Sequence, residues 1–374
     1  MSELAIVKLV AGGEGLGYAA GKAVFVPGVL PGEKVSVRVV ERRRDFERAA
    51  LLSILEKSPR RIAPPCVLAG RCGGCDWLHI RYEEQLVEKV NIVREALLRT
   101  GRMARETIGI EPSPPLGSRH RTQVHRDRAG RLGYMGAGSN HIVPVATCPI
   151  VVRPIDGIFN GSQHVPEGLD RFTVFSSGED IAVEGIDDDR DLTARVCGRD
   201  IVFSVGCFFQ SNLAVLEKLV PWALEGVTGG AAADLYCGVG LFSSFLSERF
   251  SRIICVESSA TSLSYARRNV RGPAHEFYPM SVEQWISSGA ARGPFDAAVV
   301  DPPRPGLTSE VRAWLCSAAP AKLVYVSCNP VTLARDLGEL CSRAFVLDDL
   351  RLFDFYPQTS HIEAVARLSR SEKP

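Results

Sequence analysis

The sequence contains no run of about 18 consecutive apolar residues, the length a membrane-crossing helix needs. Its opening segment, MSELAIVKLV, holds no basic stretch followed by a long apolar core, so no secretory leader is read there. Internal repeats and low-complexity tracts are absent, which excludes solenoid and collagen-like architectures. An excess of one charge is missing too: 44 Lys and Arg stand against 43 Asp and Glu. A net charge of +1 gives no global attraction to nucleic acid. The 11 cysteines are odd in number, which does not suit a fully paired disulfide framework. The expectation is a soluble, cytoplasmic monomer with reduced thiols, available for metal, cluster or catalytic duty or for the core.

With 374 residues, 45% of them hydrophobic, the chain can bury two or three domain cores. Local charge is uneven. Residues 38–61 carry eight Lys/Arg against four Asp/Glu, and residues 117–131 carry five Arg against one Asp. Residues 165–191 carry nine Asp/Glu against two Arg. Basic patches can hold phosphates even when the total is balanced. Over residues 1–57, alternation at Val35, Val37 and Val39 and frequent glycines predict short strands with tight turns. That pattern suits a small barrel of the oligonucleotide-binding kind. Residues 58–205 read as a central, mainly β domain. It opens with a proline- and cysteine-rich loop and a helix over about 82–100, where Tyr82, Leu86, Val90, Val93 and Leu97 recur at helical spacing. Over residues 206–374, apolar strands at 231–236, 252–256, 297–300 and 323–327 alternate with helices. This α/β order predicts a Rossmann-like parallel sheet covered on both faces.

The segment from Ala231 to Gly240 runs from apolar strand into glycine turn and helix, without the full dinucleotide fingerprint. Asp234 closes the strand, and Gly238 lets the backbone approach a ligand. Glu257 ends the next strand, where a carboxylate can accept both hydroxyl hydrogens of a ribose. Asp301-Pro-Pro-Arg304 follows a third strand, and a fourth delivers Cys328 to the same sheet edge. Asn329-Pro330 then breaks that strand and leaves the thiol at a pocket mouth. Glu363 stands among Ile362, Ala364 and Val365 in a late strand, a setting that calls for a partner or a function. A thiol, a base and a nearby sulfonium donor suit one reaction. C5 of uracil is a poor nucleophile until a thiolate adds to C6. It can then displace a methyl group, and a base must remove its proton before the thiol leaves.

Five motifs in order, Phe208-Phe-Gln-Ser-Asn212, Asp234-Leu-Tyr-Cys-Gly238, Asp301-Pro-Pro-Arg304, Ser327-Cys-Asn-Pro330 and His361-Ile-Glu363, resemble those of the RNA uracil-C5 methyltransferases. The resemblance implies a class I methyltransferase domain using S-adenosyl-L-methionine, with Cys328 as nucleophile and Glu363 as base. It further implies that Gln210, Tyr236, Glu257 and Asp301 contact the methyl donor. Ser281 falls where the family usually has Asn or Asp beside the adenine. The first 57 residues look like a TRAM domain, in which Arg42, Arg43 and Arg44 would contact phosphates without sequence choice. Cys66, Cys72 and Cys75 are spaced C-x5-C-x2-C, with Cys148 more distant, a pattern that suits zinc or an iron–sulfur cluster. The same spacing in iron–sulfur members of the family implies a [4Fe-4S] cluster and tilts the RNA partner toward ribosomal RNA, with a transfer RNA m5U methyltransferase as the alternative. Two rivals remain at this level. An amino-group methyltransferase would leave Cys328 and Glu363 unexplained, and so would a non-catalytic RNA-binding module.

Overall fold

The computed structural model describes residues 2–372 apart from 166, 179 and 273; positions 166 and 179 of the acidic stretch therefore lie outside the described residues. The N-terminal strands β1 (Ser2–Leu9), β2 (Gly15–Ala19), β3 (Lys22–Val26), β4 (Lys34–Arg42) and β5 (Phe46–Glu56) close into a barrel in the order β1-β2-β3-β5-β4. Period-two alternation puts Leu4, Ile6, Val24, Val26, Val35 and Val37 in its core. Gly17 is required by close approach: a Cβ there would lie 2.5 Å from the Ala5 carbonyl oxygen.

Helix α1 (Tyr82–Ala96) follows the cysteine-rich loop and ends in a single π turn, Leu97–Gly101. Next come β6 (Gly109–Glu111), β7 (Arg121–Arg126), β8 (Leu132–Met135), β9 (Ile142–Pro144), α2 (Arg153–Asn160), β10 (Arg171–Phe175) and β11 (Ala182–Val183). Five of these strands form an antiparallel sheet ordered β11-β10-β7-β8-β9. Helix α2 packs on it through Ile155 and Ile158 against Val124, Phe172 and Val174. A hairpin of β12 (Leu192–Val196) and β13 (Arg199–Phe203) leads to the C-terminal half.

There, α3 (Leu213–Ala223), β14 (Gly229–Leu235), α4 (Leu241–Leu246), β15 (Phe250–Val256), α5 (Ala260–Asn269), β16 (Glu276–Tyr278) and α6 (Val282–Ser287) alternate in turn. They are followed by β17 (Ala297–Val300), α7 (Ser309–Ala318), β18 (Lys322–Ser327), α8 (Pro330–Arg343), β19 (Phe345–Phe353) and β20 (Ala364–Arg370). One eight-stranded sheet has the order β16-β15-β14-β17-β18-β20-β19-β6. The parallel sheet read from the sequence holds for β14 to β18, and one later strand departs from it. Strand β20 runs antiparallel to both neighbours, because β19 and β20 are joined directly, without a crossover helix.

Residues 58–205 are shared between two bodies. Strands β7–β11 form their own sheet, whereas β6 is the edge strand of the C-terminal sheet and the β12–β13 hairpin joins its core. The apolar face read for α1 also shifts. Its buried residues are Gln85, Glu88, Lys89, Ile92, Val93 and Ala96, so polar groups fill the first half of the buried stripe. Among the described residues, no helix is long and apolar enough to cross a membrane.

Candidate active site

The ends of β14, β15, β17 and β18 open into a cavity of about 850 Å³. Gln210, Tyr236, Gly238, Glu257, Ser281, Asp301, Cys328 and Glu363 all line it, so the eight residues chosen from sequence for the catalytic and donor sites share one space. The turn after β14 has Tyr236 at φ +65°, Gly238 at +55° and Gly240 at +81°. A side chain at Gly240 would put its Cβ 3.0 Å from the Ala266 Cα, so α4 and α5 can pack this closely only around glycine. Glu257 fastens the turn. One carboxylate oxygen accepts from the Gly238 amide at 3.1 Å, and the other from the Ser259 amide at 2.7 Å. Ser281 begins α6 as half of a capping box. Its hydroxyl accepts from the Gln284 amide at 3.2 Å, while its own amide donates to the Gln284 side chain at 3.0 Å.

Among the described residues, Oε1 of Gln210 and Oδ1 of Asp234 are buried oxygens without a hydrogen-bond partner. The other Asp234 oxygen accepts from the Ser243 amide at 2.9 Å and from the Ser243 hydroxyl. Burial pushes Asp234 up to about 7. Asp301 is also pushed up to about 7, by burial and by the charge of Asp234. Burial raises Glu363 well above the usual carboxylate range, and Asp301 adds to the rise. These carboxyls disfavour one another's ionisation, so Asp234 and Asp301 are mostly neutral below pH 7.

Cys328 follows β18 and is half-buried. Burial, Glu363 and Asp301 push its thiol up to about 11, against the opposing pull of Arg304. Asn329 sets the geometry of this loop. Its side-chain oxygen caps α8 by accepting from Val331 at 3.0 Å, and its amide donates to the Arg304 carbonyl at 3.1 Å. The Cys328 loop and the Asp301–Arg304 loop are thereby tied together. Glu363 lies just before β20 rather than inside it, and its carbonyl accepts from the Phe353 amide at 2.9 Å.

Sequence reasoning missed what supports the 354–363 loop. Lys89, 2% exposed at its side chain, reaches Asp354, 0% exposed, at 2.5 Å and also donates to the Tyr356 carbonyl at 3.0 Å. The Tyr82 hydroxyl donates to Asp354 at 2.8 Å. Gln85 and Gln358 exchange two hydrogen bonds of 2.9 Å each. The signal was present in the sequence: 85, 89, 92, 93 and 96 follow helical spacing, so two polar side chains share the buried stripe. Arg121 is a second such support, donating to the Val205 and Cys207 carbonyls at 2.9 Å just before Phe208.

Cys66, Cys72, Cys75 and Cys148 line a separate small pocket with Arg119 and Tyr134. All four are free thiols. Burial pushes Cys75 up to about 12 and raises Cys72 as well, with Cys148 adding to both. Among the described residues, no three or more His, Cys, Asp or Glu side chains gather tightly enough for a single metal ion. On the barrel, Arg42 and Arg43 pair with Glu47 at 3.5 Å and Glu41 at 2.6 Å. Arg44 is exposed, and none of the three lines the cavity.

The fold and the cavity at its strand ends define a class I S-adenosylmethionine-dependent methyltransferase carrying an N-terminal barrel. A family model described as tRNA (uracil-5-)-methyltransferase matches residues 176–277 and 292–371, and a TRAM-domain model matches residues 5–52. A Treponema denticola protein named as an uncharacterized RNA methyltransferase is 32% identical over 92% of this chain and 93% of its own. The 23S rRNA (uracil(1939)-C(5))-methyltransferase of Pseudomonas fluorescens Pf0-1 is 30% identical over 99% of this chain and 92% of its own. The crystal structure of the Pyrococcus abyssi tRNA (uracil-54, C5)-methyltransferase with S-adenosyl-L-homocysteine shares the fold. Its TM-score is 0.71 at 23% identity, covering 98% of this chain and 100% of that one. The chain belongs to the RNA uracil-5-methyltransferase family and is a methyl-transferring enzyme of that class.

Proposed function

We propose that this enzyme methylates C5 of a uridine in RNA, 23S ribosomal rather than transfer RNA, with Cys328 as nucleophile and Glu363 as base. The observation that carries the reading is the single cavity in which Cys328 and Glu363 face the glycine turn and Glu257. The ribosomal choice is supported by the full-length likeness to the Pseudomonas enzyme. S-adenosylmethionine supplies a methyl group on a sulfonium centre. The residues present fit it: Glu257 suits ribose hydroxyls, the turn admits close backbone approach, and the Gln210 oxygen needs a partner.

Cys328, as thiolate beside Arg304, adds to C6 of the uracil. The sulfur–carbon bond forms as the C5–C6 π pair moves toward the O4 side. C5 then takes the methyl group, and the electron pair of the broken methyl–sulfur bond stays on the donor's sulfur, which becomes a neutral thioether. Glu363, as carboxylate, removes the C5 proton, and that electron pair restores C5–C6 and expels the thiolate. A raised pKa makes the Glu363 carboxylate, once formed, a stronger proton acceptor than an exposed glutamate. Asn329 holds the nucleophile loop in register with Asp301, and α1 holds the loop bearing Glu363.

The four cysteines are proposed to hold a [4Fe-4S] cluster. Four free thiols around one pocket, with Arg119 beside them as counter-charge, are a fitting donor set. A cubane spaces its thiolates more widely than one ion does. The cluster's part would be to fix the loop between barrel and central sheet, since methyl transfer needs no electrons. Arg42–Arg44 are proposed to contact phosphates.

The test is RNA carrying 5-fluorouridine, whose C5 fluorine cannot be removed as a proton. A stable adduct should form on the Cys328 peptide and vanish in Cys328→Ala. With ordinary RNA, Glu363→Gln should accumulate the methylated adduct as a slow band on a denaturing gel. A methyl group mapped to an exocyclic nitrogen, or wild-type turnover by Glu363→Gln, would overturn the assignment.

A further inference from the structure

A second cavity, of about 930 Å³, opens where the barrel, the cysteine loop and the central sheet meet. Pro27 and Leu51 reach it from the barrel, Asp76 from the cysteine loop, and Gln123, His125 and Met135 from β7 and β8. Nothing in the methyl-transfer chemistry uses it. Gln123 and His125 are two residues apart on one strand and so face the same side. Among the described residues, neither side chain has a hydrogen-bond partner. His125 is only 8% exposed overall, yet its ring nitrogens remain open to the cavity, where a ligand can reach them. Burial, with Arg171 adding, lowers its pKa, so the ring stays neutral, with one donor and one acceptor. The Gln123 amide offers the same pair. Two donor–acceptor groups side by side suit the edge of a nucleobase better than a phosphate, which offers only acceptors. Met135, 42% exposed, gives an apolar surface for the ring face.

This cavity shares a wall with the catalytic one. Asp76 accepts from the Ser360 amide at 2.8 Å, and the next residue, His361, lines the catalytic cavity. An RNA strand crossing this contact would bring one nucleotide toward each space. We propose that the junction cavity is a nucleobase pocket taking one unpaired base of the substrate RNA next to the target nucleotide, with Gln123 and His125 reading its edge. The inference rests on the reading of the enzyme as an RNA uridine methyltransferase.

The experiment uses the full-length enzyme and an RNA fragment carrying the mapped target uridine. A companion set of fragments carries a single abasic residue at each flanking position. Gln123→Ala and His125→Gln should each raise the KM for RNA roughly tenfold, the scale of losing one base contact, with kcat and S-adenosylmethionine affinity unchanged. One abasic position should do the same to the wild type and add nothing further to Gln123→Ala. Unchanged RNA KM in both variants, with wild-type melting curves, overturns the pocket, as does an abasic effect that stays fully additive at every position. Fluorescence anisotropy on the same fragments reads the same contrast without turnover. The pocket can therefore be judged even if no 5-fluorouridine adduct forms and the catalytic reading fails.

Discussion

Cys328 should react as a hindered, largely protonated thiol in the resting enzyme. Burial, with Glu363 and Asp301 close by, pushes it up to about 11. An ordinary cysteine titrates near about 8.5, so at pH 8 about a quarter of an exposed thiol is ionised. For Cys328 the same pH leaves roughly one molecule in a thousand as thiolate, from the same titration relation. Iodoacetamide alkylation followed by peptide-resolved mass spectrometry measures this directly, because only the thiolate attacks. The rate at Cys328 should rise about tenfold per pH unit from pH 7 to 10, without a plateau. Arg304 is the charge pulling the other way, so Arg304→Gln should raise the thiol further and slow alkylation at every pH in that window. A plateau at or below pH 9, or an Arg304→Gln rate equal to wild type, would refute the electrostatic account of this site. Such a result would mean that the thiolate is already formed before RNA arrives.

Lys89→Ala leaves Asp354 buried without its cation, which should destabilise the protein by about 3–5 kcal/mol in chemical denaturation. Lys89→Ala together with Asp354→Leu should recover part of that loss; a single variant as stable as wild type would deny the pair its role. Protein purified without oxygen should be brown and contain about four irons per chain. Cys66→Ser should lower iron content and soluble yield together, and zinc in place of iron with full activity would remove the cluster from the account.

The strands and the site edge were legible because they rest on local rules. Buried parallel strands read as apolar runs, and the glycines at 238 and 240 mark a backbone that must turn left-handed. Cys328 and Glu363 stood out because a thiol and a carboxylate lie at apolar strand ends. The role of α1 was hidden because periodicity counts apolar residues, whereas Gln85 and Lys89 are buried by pairing with a loop about 270 positions away. The direction of β20 was hidden for a related reason. Strand pattern gives burial on each face but not orientation, which depends on the connection. The placement of β6 at the far edge of the C-terminal sheet is likewise a long-range pairing, carried by three residues beside Arg351–Phe353.

The row of carboxyls makes cofactor binding sensitive to pH, and its sign follows from the structure. Asp234 and Asp301 are pushed up to about 7, and Glu363 is raised too. At pH 6 Asp234 and Asp301 are mostly protonated before a ligand binds. A cationic sulfonium placed in the same cavity favours their charged forms and draws their pKa values down. Binding must then release protons, so affinity rises with pH. The share of this rise that belongs to Asp234 and Asp301 must level off once they have ionised on their own, just above pH 7. S-adenosylhomocysteine has a neutral sulfur and should release far fewer protons. Isothermal titration in buffers of different ionisation enthalpy counts the protons for both ligands between pH 6 and 8. Asp301→Asn should remove much of the difference between them, because Asp301 itself lines the cavity. Equal proton release by the two ligands would show that the sulfonium does not sit against these carboxyls. Glu363 would then have to be ionised by the arrival of the uracil rather than of the methyl donor.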